Sequence, residues 1–452
     1  MADIFRYQNI QELREDITRR NLPIEVSEDL TPLSKPVSIG HMTSANSLAD
    51  LPMEGCDSNL DGSPSELVFR RYHRFADGGA GLIWCEANAV VPEGRANERQ
   101  MMLTRSNIES FQELVSSSKK IGLERNGFKP IMILQLTHSG RYSRPSGHAP
   151  SPLVPQRDPI LDARSGVQDD SSVVSDEYLE SLVPSYVQTA LLAKKAGFDG
   201  VDIKACHRYL LSELFASHTR PGKFGGSFEN RSRLMLSIVE EVRKAVVDEF
   251  ILASRFNVFD AHPYPYGFGC SQDDMWVFDP TEPVQLVKEL VKRGVNLLSN
   301  SAGNPYYIYP QVTRPFDTSS MGIPTPEEHQ LVSIARLFAF SQTVQEAAGE
   351  VPVIGNGYSW LRQFLPNVGA ANLAASHVKM IGLGRSSFAY PEAPRDILET
   401  GKMDAKKVCI SCSKCTQIMR DHGSTGCVVR DAKLYAPLAK QFRQETAERE
   451  AK

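Results

Sequence analysis

Short apolar runs recur along the chain with helical segments between them, and this alternation restricts the possible folds more than any other feature. The runs are continuous rather than alternating in polarity, as expected of parallel strands buried on both faces. Eight such runs predict a (β/α)8 barrel of the α/β class, and a doubly wound sheet is the alternative. The expected strands lie near residues 37–40, 81–86, 131–137, 200–203, 250–255, 295–300, 351–356 and 378–384. The clearest helices between them cover residues 65–76, 107–120, 176–196, 229–247, 281–293 and 326–348.

Composition excludes several classes of protein. The 452 residues are 41% hydrophobic, which is enough for a large core. The net charge of −4, with acids and bases mixed along the chain, argues against nucleic acid as a partner. No stretch approaches the roughly 18 uninterrupted apolar residues of a membrane helix. The polar first twenty residues do not resemble a secretory signal, so we expect a cytoplasmic protein; the oligomeric state is left open.

Four cysteines crowd into one segment near the C-terminus with the spacing C-x2-C-x2-C-x11-C. Three ligands in one run and a fourth after a longer loop are typical of a [4Fe–4S] cluster. A structural zinc site with four thiolates is the competing interpretation, and an unligated group of cysteines is the third. We therefore expect a barrel over residues 1–400 and a metal-binding extension with a tail over 401–452. The predicted ligands are Cys409, Cys412, Cys415 and Cys427.

Polar and basic residues follow most of the predicted strands, where catalytic groups of a barrel lie. Gln135 to Arg141 follow the third strand, Lys204 to Tyr209 the fourth, and Tyr306, Tyr307 and Tyr309 the sixth. Glycine turns after the last two strands, with an arginine, suit a phosphate site because they expose backbone N–H groups beside a fixed cation. Each residue taken alone has a structural alternative, such as a surface ion pair or core packing.

These motifs resemble the Old Yellow Enzyme family of flavin oxidoreductases, in particular its iron–sulfur branch with 2,4-dienoyl-CoA reductase and trimethylamine dehydrogenase. The resemblance rests on residues 135–141, 197–231, Gly384-Arg385 and the cysteine quartet. It implies FMN at the mouth of the barrel and a [4Fe–4S] cluster within electron-transfer reach. By position, Gln135 would bond the pyrimidine edge and Arg255 would face the electron-rich N1–O2 edge. The implied flavin-binding residues are Met42 and Thr43 after strand one, Ala87, Gln135, Arg255, Gly357, Gly384 and Arg385.

The catalytic segment departs from the family pattern. Tyr209 matches the tyrosine that donates a proton in enoyl reduction, and His207 matches a position that polarises the substrate. Lys204 replaces the other polarising residue, and Arg208 replaces a glycine. We expect both added cations to face the substrate and favour an anionic or carbonyl-bearing one. The alternative is that Lys204 pairs with a neighbouring carboxylate and never meets substrate.

The resemblance implies an ene-reductase that transfers hydride from reduced flavin to an activated C=C bond of a small unsaturated carbonyl substrate. Relatives of this branch continue into a dinucleotide-binding region, and no G-x-G-x-x-G follows a strand here. We therefore expect electrons from NAD(P)H docking on the flavin or from a donor protein. One alternative is an amine or other dehydrogenase sending electrons out through the cluster. The covalent flavin–cysteine bond of such enzymes is excluded at His41-Met42, taken as the end of strand one. Another is a non-catalytic electron-transfer subunit.

Overall fold

Eight parallel strands close into a barrel in the computed structural model, which describes residues 5–247, 249–306, 310–316, 318, 324 and 326–451. The strands follow chain order around the barrel, and the last pairs with the first through Leu383 and Asp50. This confirms the (β/α)8 prediction and excludes the doubly wound sheet. The strands are β1 (Val37–Ile39), β2 (Met42–Ser44), β3 (Leu48–Asp50), β4 (Leu82–Ala89), β5 (Ile131–Thr137), β6 (Gly200–Ile203), β7 (Ile251–Phe259), β8 (Leu297–Ala302), β9 (Val353–Gly355) and β10 (Met380–Leu383), of which β3 to β10 form the barrel.

Helices cover the outside of the barrel and begin where the sequence supplies caps. Ser175 and Ser227 each accept a backbone N–H three residues on, and Gly197 ends one helix in the left-handed conformation. The six expected helices are confirmed to within a few residues at most ends. The helices are α1 (Ile10–Arg19), α2 (Glu66–Gly78), α3 (Ile108–Asn126), α4 (Asp162–Ser165), α5 (Asp176–Ala196), α6 (Leu210–Phe215), α7 (Phe228–Val246), α8 (Thr281–Lys292), α9 (Pro310–Thr313), α10 (Gln330–Ala348), α11 (Leu365–Ala374), α12 (Arg385–Ala389), α13 (Ala393–Thr400), α14 (Lys414–Arg420) and α15 (Ala432–Glu450).

The expected first strand is wrong, because the run at 37–40 is not part of the barrel. Its residues form β1, which pairs with β2 in an antiparallel hairpin around Gly40 at φ +56°. Ile39 is fully buried among Leu82, Ile131 and Ile251, which begin their strands, so the hairpin closes the amino-terminal end of the barrel. The true first strand, β3, is only three residues long and ends in a buried aspartate, which makes its apolar signal weak.

The segment after α13 folds back onto the carboxyl-terminal mouth of the barrel. The Asp431 carboxylate accepts hydrogen bonds from Arg70 at 2.7 Å and Arg74 at 2.8 Å, both on α2. The backbone N–H of Thr425 donates to the Gly55 carbonyl at 2.7 Å. The cysteine segment therefore lies beside the barrel mouth. Within the described residues, no helix is long and apolar enough to cross a membrane.

Candidate active site

An open cavity lies at the carboxyl-terminal mouth of the barrel, where ligand sites of this fold occur. It encloses about 1220 Å³ and lies between the strand ends and the cysteine segment. The structure brings most of the predicted site residues together here. Those in the cavity wall are Ala87, Gln135, Lys204, His207, Arg255, Gly357, Gly384, Arg385 and Cys415.

Met42 and Thr43 do not reach this cavity. Both belong to β2 at the opposite end of the barrel, where Met42 packs partly against the cluster around Ile39. The barrel strand leads instead into Leu51 to Glu54, which line the cavity. His41-Met42 is therefore the wrong segment for covalent flavin attachment, and the segment that lines the cavity, Leu51 to Glu54, contains no cysteine either.

The cavity wall carries a strong excess of positive charge. Lys204, Arg255, Arg314 and Arg385 line it, whereas Glu54 is the only carboxylate in the described part of the wall. The Nε atoms of Arg255 and Arg314 are buried without a hydrogen-bond partner among the described residues. Burial and the neighbouring Arg385 cation lower the pKa of Arg314. A buried cation without a counter-charge is costly, so this arrangement favours an anion in the cavity.

The two predicted glycine turns flank these cations. Gly357 has φ +95°, a backbone conformation that residues other than glycine adopt only with strain. A Cβ at Gly384 would meet only the Met53 sulfur, at 3.8 Å, so this backbone stays open beside the cavity. Arg385 is held by donating from Nη1 to Ser413 Oγ at 2.8 Å, which ties the strand end to the cysteine segment.

A buried polar layer inside the barrel fixes Gln135. Its Nε2 donates to Asp202 Oδ2 at 2.6 Å, and Trp84 Nε1 donates to the same oxygen at 3.0 Å. The backbone N–H of Arg255 donates to the other carboxylate oxygen at 2.8 Å. With its amide nitrogen engaged, Gln135 offers its amide oxygen to the cavity as an acceptor.

A strained turn after β6 presents His207 and Lys204 to the cavity. His207 and Arg208 both have positive φ, at +65° and +59°, and the His207 N–H donates to Asn257 Oδ1 at 3.1 Å. Burial, together with the Arg255 and Lys204 cations, lowers the pKa of His207 well below its usual value, so its imidazole is neutral. Lys204 is 3% exposed, and its Nζ lies 3.9 Å from the centre of the Tyr209 ring. No carboxylate of the described residues forms an ion pair with Lys204, which argues against the structural alternative.

Arg208 does not face the cavity, contrary to the expectation. Its guanidinium is buried and pairs with Asp260 at 2.8 Å, Asp158 at 3.4 Å and Glu213 at 3.7 Å. Arg141 joins the same buried network through Glu213 at 2.7 Å. Of the two cations that depart from the family pattern, only Lys204 therefore adds charge to the cavity.

Tyr209 lies behind the cavity rather than in the described part of its wall. It is 1% exposed, and its hydroxyl is 2.8 Å from that of Tyr306 and 3.4 Å from Glu54 Oε2. Tyr306 and Glu54 do line the cavity. Burial raises the pKa of both tyrosines well above its usual value, so both keep their protons. Tyr307 and Tyr309 lie outside the described residues.

The four predicted cysteine ligands lie close enough to affect one another. Burial raises the pKa of Cys415 to about 11, with Arg385 lowering it and the thiolates of Cys409 and Cys427 raising it. Burial likewise raises the pKa of Cys427, with contributions from Cys409 and Cys412. This mutual influence indicates that the thiols lie in one region of the fold, and Cys415 also borders the cavity.

Backbone amides already point at two of these sulfurs. Ser411 N–H donates to Cys409 Sγ at 3.4 Å, and Arg430 N–H donates to Cys427 Sγ at 3.3 Å. Over the part of the chain that the structure describes, no group of three or more Cys, His, Asp or Glu side chains is arranged to hold a metal ion. The cluster therefore stays a prediction, supported by the thiol donor set and by the proximity of its members.

Comparison with known proteins agrees with this geometry. Residues 32–293 match the model of the NADH:flavin oxidoreductase / NADH oxidase family. The chain belongs to this family. The resemblance drawn from the motifs is thereby confirmed at the level of the family, and with it a flavin-type oxidoreductase barrel.

Relatives within this NADH:flavin oxidoreductase family include an NADH oxidase of Thermoanaerobacter brockii, 27% identical over 380 residues, or 83% of this chain and 52% of the relative. A cinnamate reductase of Clostridium sporogenes is 26% identical over 88% of this chain and 57% of the relative. A solved 2-naphthoyl-CoA reductase complex superposes with a TM-score of 0.70 at 18% identity, covering 91% of this chain and 58% of that one. The chain thus spans about half the length of the curated relatives it matches first.

Two charged residues of the cavity wall were not predicted from the sequence. Glu54 was missed because the first strand was placed too early, and a corrected strand would have pointed to it. Arg314 lies in the long connection between β8 and α10, outside any recognisable motif. Only the folded chain shows that this arginine joins Arg385 at the cavity.

Proposed function

We propose that the protein is an FMN-dependent ene-reductase acting on an enone or enoate. The net reaction adds a hydride equivalent to the β-carbon and a proton to the α-carbon, while NAD(P)H is oxidised to NAD(P)⁺. One observation carries the proposal: a cavity at the barrel mouth combines unpaired cations with neutral hydrogen-bond donors. Family membership and the cinnamate reductase relative support it.

The residues present fit FMN. The flavin supplies reversible hydride-transfer chemistry when bound. Arg385 and Arg314, with the open backbone at Gly384 and Gly357, would hold its phosphate. The buried Nε of Arg255, which has no hydrogen-bond partner in the described part of the chain, would face the electron-rich edge of the ring, and Gln135 would accept from its pyrimidine N–H.

His207 and Lys204 are the groups that would activate the substrate. The neutral imidazole of His207 has one N–H with which to bond the substrate carbonyl. The Lys204 cation, which has no carboxylate partner in the described structure, would stabilise negative charge developing on that oxygen. His207 and Lys204 are both held in place before the reaction. The negative charge that develops on the substrate oxygen is therefore stabilised by donors that need not move.

The proton would come from the pair of tyrosines. Tyr306 borders the cavity and Tyr209 lies directly behind it, with 2.8 Å between their hydroxyl oxygens. We propose that Tyr306 passes a proton to the α-carbon and is replenished by Tyr209. Tyr209, matched to the family's proton donor, would then act through its neighbour.

The four cysteines are proposed to hold the [4Fe–4S] cluster. Their thiol chemistry, shared position and backbone N–H donors support this assignment. Because Cys415 borders the flavin cavity, the cluster would lie beside the flavin site. This position allows a protein donor or acceptor of electrons as well as NAD(P)H.

The charge of the cavity disfavours the alternative of amine oxidation. A cationic amine would enter a wall with four cations and one described carboxylate, Glu54. Like charges at close range cost free energy, most of all where water is excluded. An anionic or carbonyl-bearing substrate is instead attracted by the positive charge of the wall.

The test is an anaerobic titration of the FMN-loaded protein, followed by its visible spectrum. NADH or NADPH should bleach the flavin, and an added enone or enoate should restore its colour. Tyr306→Phe and Tyr209→Phe should slow the second step by roughly 10²- to 10⁴-fold and bleaching much less. Tyr186→Phe is the matched control, since its buried hydroxyl has no hydrogen-bond partner among the described residues.

Bleaching by amines, with no alkene restoring the colour, would refute the ene-reductase proposal. If dithionite but neither nucleotide bleaches the flavin, the electron donor is a protein instead. Equal losses in both steps for the two tyrosine variants would show that they support structure rather than proton transfer.

A further inference from the structure

We infer that a second chamber beside the cavity binds an oxyanion at the end of the substrate remote from its double bond. The inference rests on the proposed function and extends it to the class of substrate. The second chamber encloses about 1000 Å³ and shares Glu54, Tyr306 and Met419 with the first. The two spaces are therefore adjacent, and Tyr306 lies between them.

Two half-buried arginines give this chamber its chemistry. Arg144 donates from Nη1 to His422 Nε2 at 2.7 Å, and Arg420 donates from Nη2 to the Pro305 carbonyl at 2.7 Å. Both acceptors are neutral, since burial and the Arg144 cation lower the pKa of His422 to about 4. Neither arginine is ion-paired with a carboxylate of the described residues. Each acceptor therefore orients one guanidinium group without neutralising its positive charge.

The described lining of the chamber carries little negative charge beside Arg144 and Arg420. A third arginine, Arg164, also lines it, and Glu54 is the only carboxylate in the described lining. Glu54 sits at the junction with the first cavity and accepts from Gln100 Nε2 at 2.8 Å. Burial lowers the pKa of both Arg144 and Arg420, which is the response of a cation that lacks a counter-charge.

An aromatic wall connects the junction to the arginines. Tyr142 and Tyr306 stack with ring centres 4.1 Å apart, and Asn304 Nδ2 donates to the Tyr142 hydroxyl at 2.6 Å, which fixes the pair. Met419 adds an apolar surface at the junction. A fitting ligand has its double bond beside His207 and an apolar segment packed along Tyr142 and Tyr306. Its far end is an oxyanion. That oxyanion is either a carboxylate or a phosphate of a thioester carrier.

Binding to the oxidised FMN-loaded protein tests this without turnover. Three saturated probes share one scaffold: methyl 3-phenylpropionate, its para-carboxylate derivative and 3-phenylpropionyl-CoA. Affinity is read from the change in the flavin's visible spectrum. Arg144→Gln and Arg420→Gln should weaken an anionic probe by roughly 10- to 100-fold, the loss of one charge-assisted hydrogen bond. The neutral ester should bind as before.

Further variants separate charge from folding. Arg144→Lys and Arg420→Lys keep the charge and should retain part of the affinity. Arg293→Gln, a surface arginine paired with Glu289 on α8, should change nothing. Selective loss of the para-carboxylate probe identifies a carboxylate as the ligand group, and selective loss of the CoA probe identifies a carrier phosphate. If both anionic probes bind the glutamine variants like the wild type, the inference is overturned.

Turnover of methyl cinnamate distinguishes the two proposals. If the wild type reduces it while the glutamine variants keep their affinity for the anionic probes, the proposed anion site is refuted and the proposed ene-reductase activity is supported. If no alkene is reduced while those variants lose affinity for the anionic probes, the proposed ene-reductase reaction is refuted and the proposed anion site is supported.

Discussion

Replacing Arg385 with glutamine should weaken the binding of the FMN phosphate. Arg385 borders the cavity, and two of its five N–H donors are used by Ser413 Oγ at 2.8 Å and the Pro315 carbonyl at 3.4 Å. Donors remain for a phosphate. Glutamine removes the cation and its fork, and a hydrogen bond to a charged group contributes about 1.5–3 kcal/mol. At about 1.4 kcal/mol per tenfold, the Kd for FMN should rise roughly 10- to 100-fold.

The assay is titration of flavin-free protein with FMN, followed by the quenching of flavin fluorescence. Ser413→Ala removes only the tether to the cysteine segment and should change the Kd by less than about threefold. Arg395→Gln is the control, because Arg395 is a half-buried arginine that bonds Asp77 away from the cavity.

The controls decide how a result is interpreted. Unchanged FMN affinity in Arg385→Gln would refute the phosphate assignment. Equal weakening by Arg395→Gln would show loss of general stability, and equal weakening by Ser413→Ala would show that Arg385 acts by holding the cysteine segment.

Two further predictions concern the cluster and a buried acid. Anaerobically purified protein should contain about four irons per chain; Cys427→Ser should lower that content and Cys270→Ser should not, whereas stoichiometric zinc would contradict the cluster. Burial raises the pKa of Asp50 to about 7, so the native state binds the extra proton and its stability falls as pH rises from about 4 through about 7. Asp50→Asn should remove this loss, so the free energy of urea unfolding should favour the variant more at about pH 8 than at about pH 5; a difference independent of pH would contradict it.

Sequence alone was sufficient for the barrel and for most of its mouth. Continuous apolar runs that alternate with helices leave few ways to bury both faces of a parallel sheet, and the ends of such strands converge. Gln135, Lys204, His207, Arg255 and Arg385 could therefore be placed at one site from local patterns. The family assignment followed from the same local motifs.

The tertiary structure decided what long-range contacts control. The run at 37–40 has the composition of a strand, but Gly40 turns it into a hairpin that seals the opposite end of the barrel, taking Met42 and Thr43 away from the site. Arg208 and Lys204 are four residues apart, yet only Arg208 is neutralised, because its partners Asp158 and Asp260 come from distant segments. Arg314, Arg144 and Arg420 likewise reach the cavities from distant parts of the chain. Local sequence determines elements and strand ends, whereas the pairing and burial of a charge depend on residues that only folding brings near.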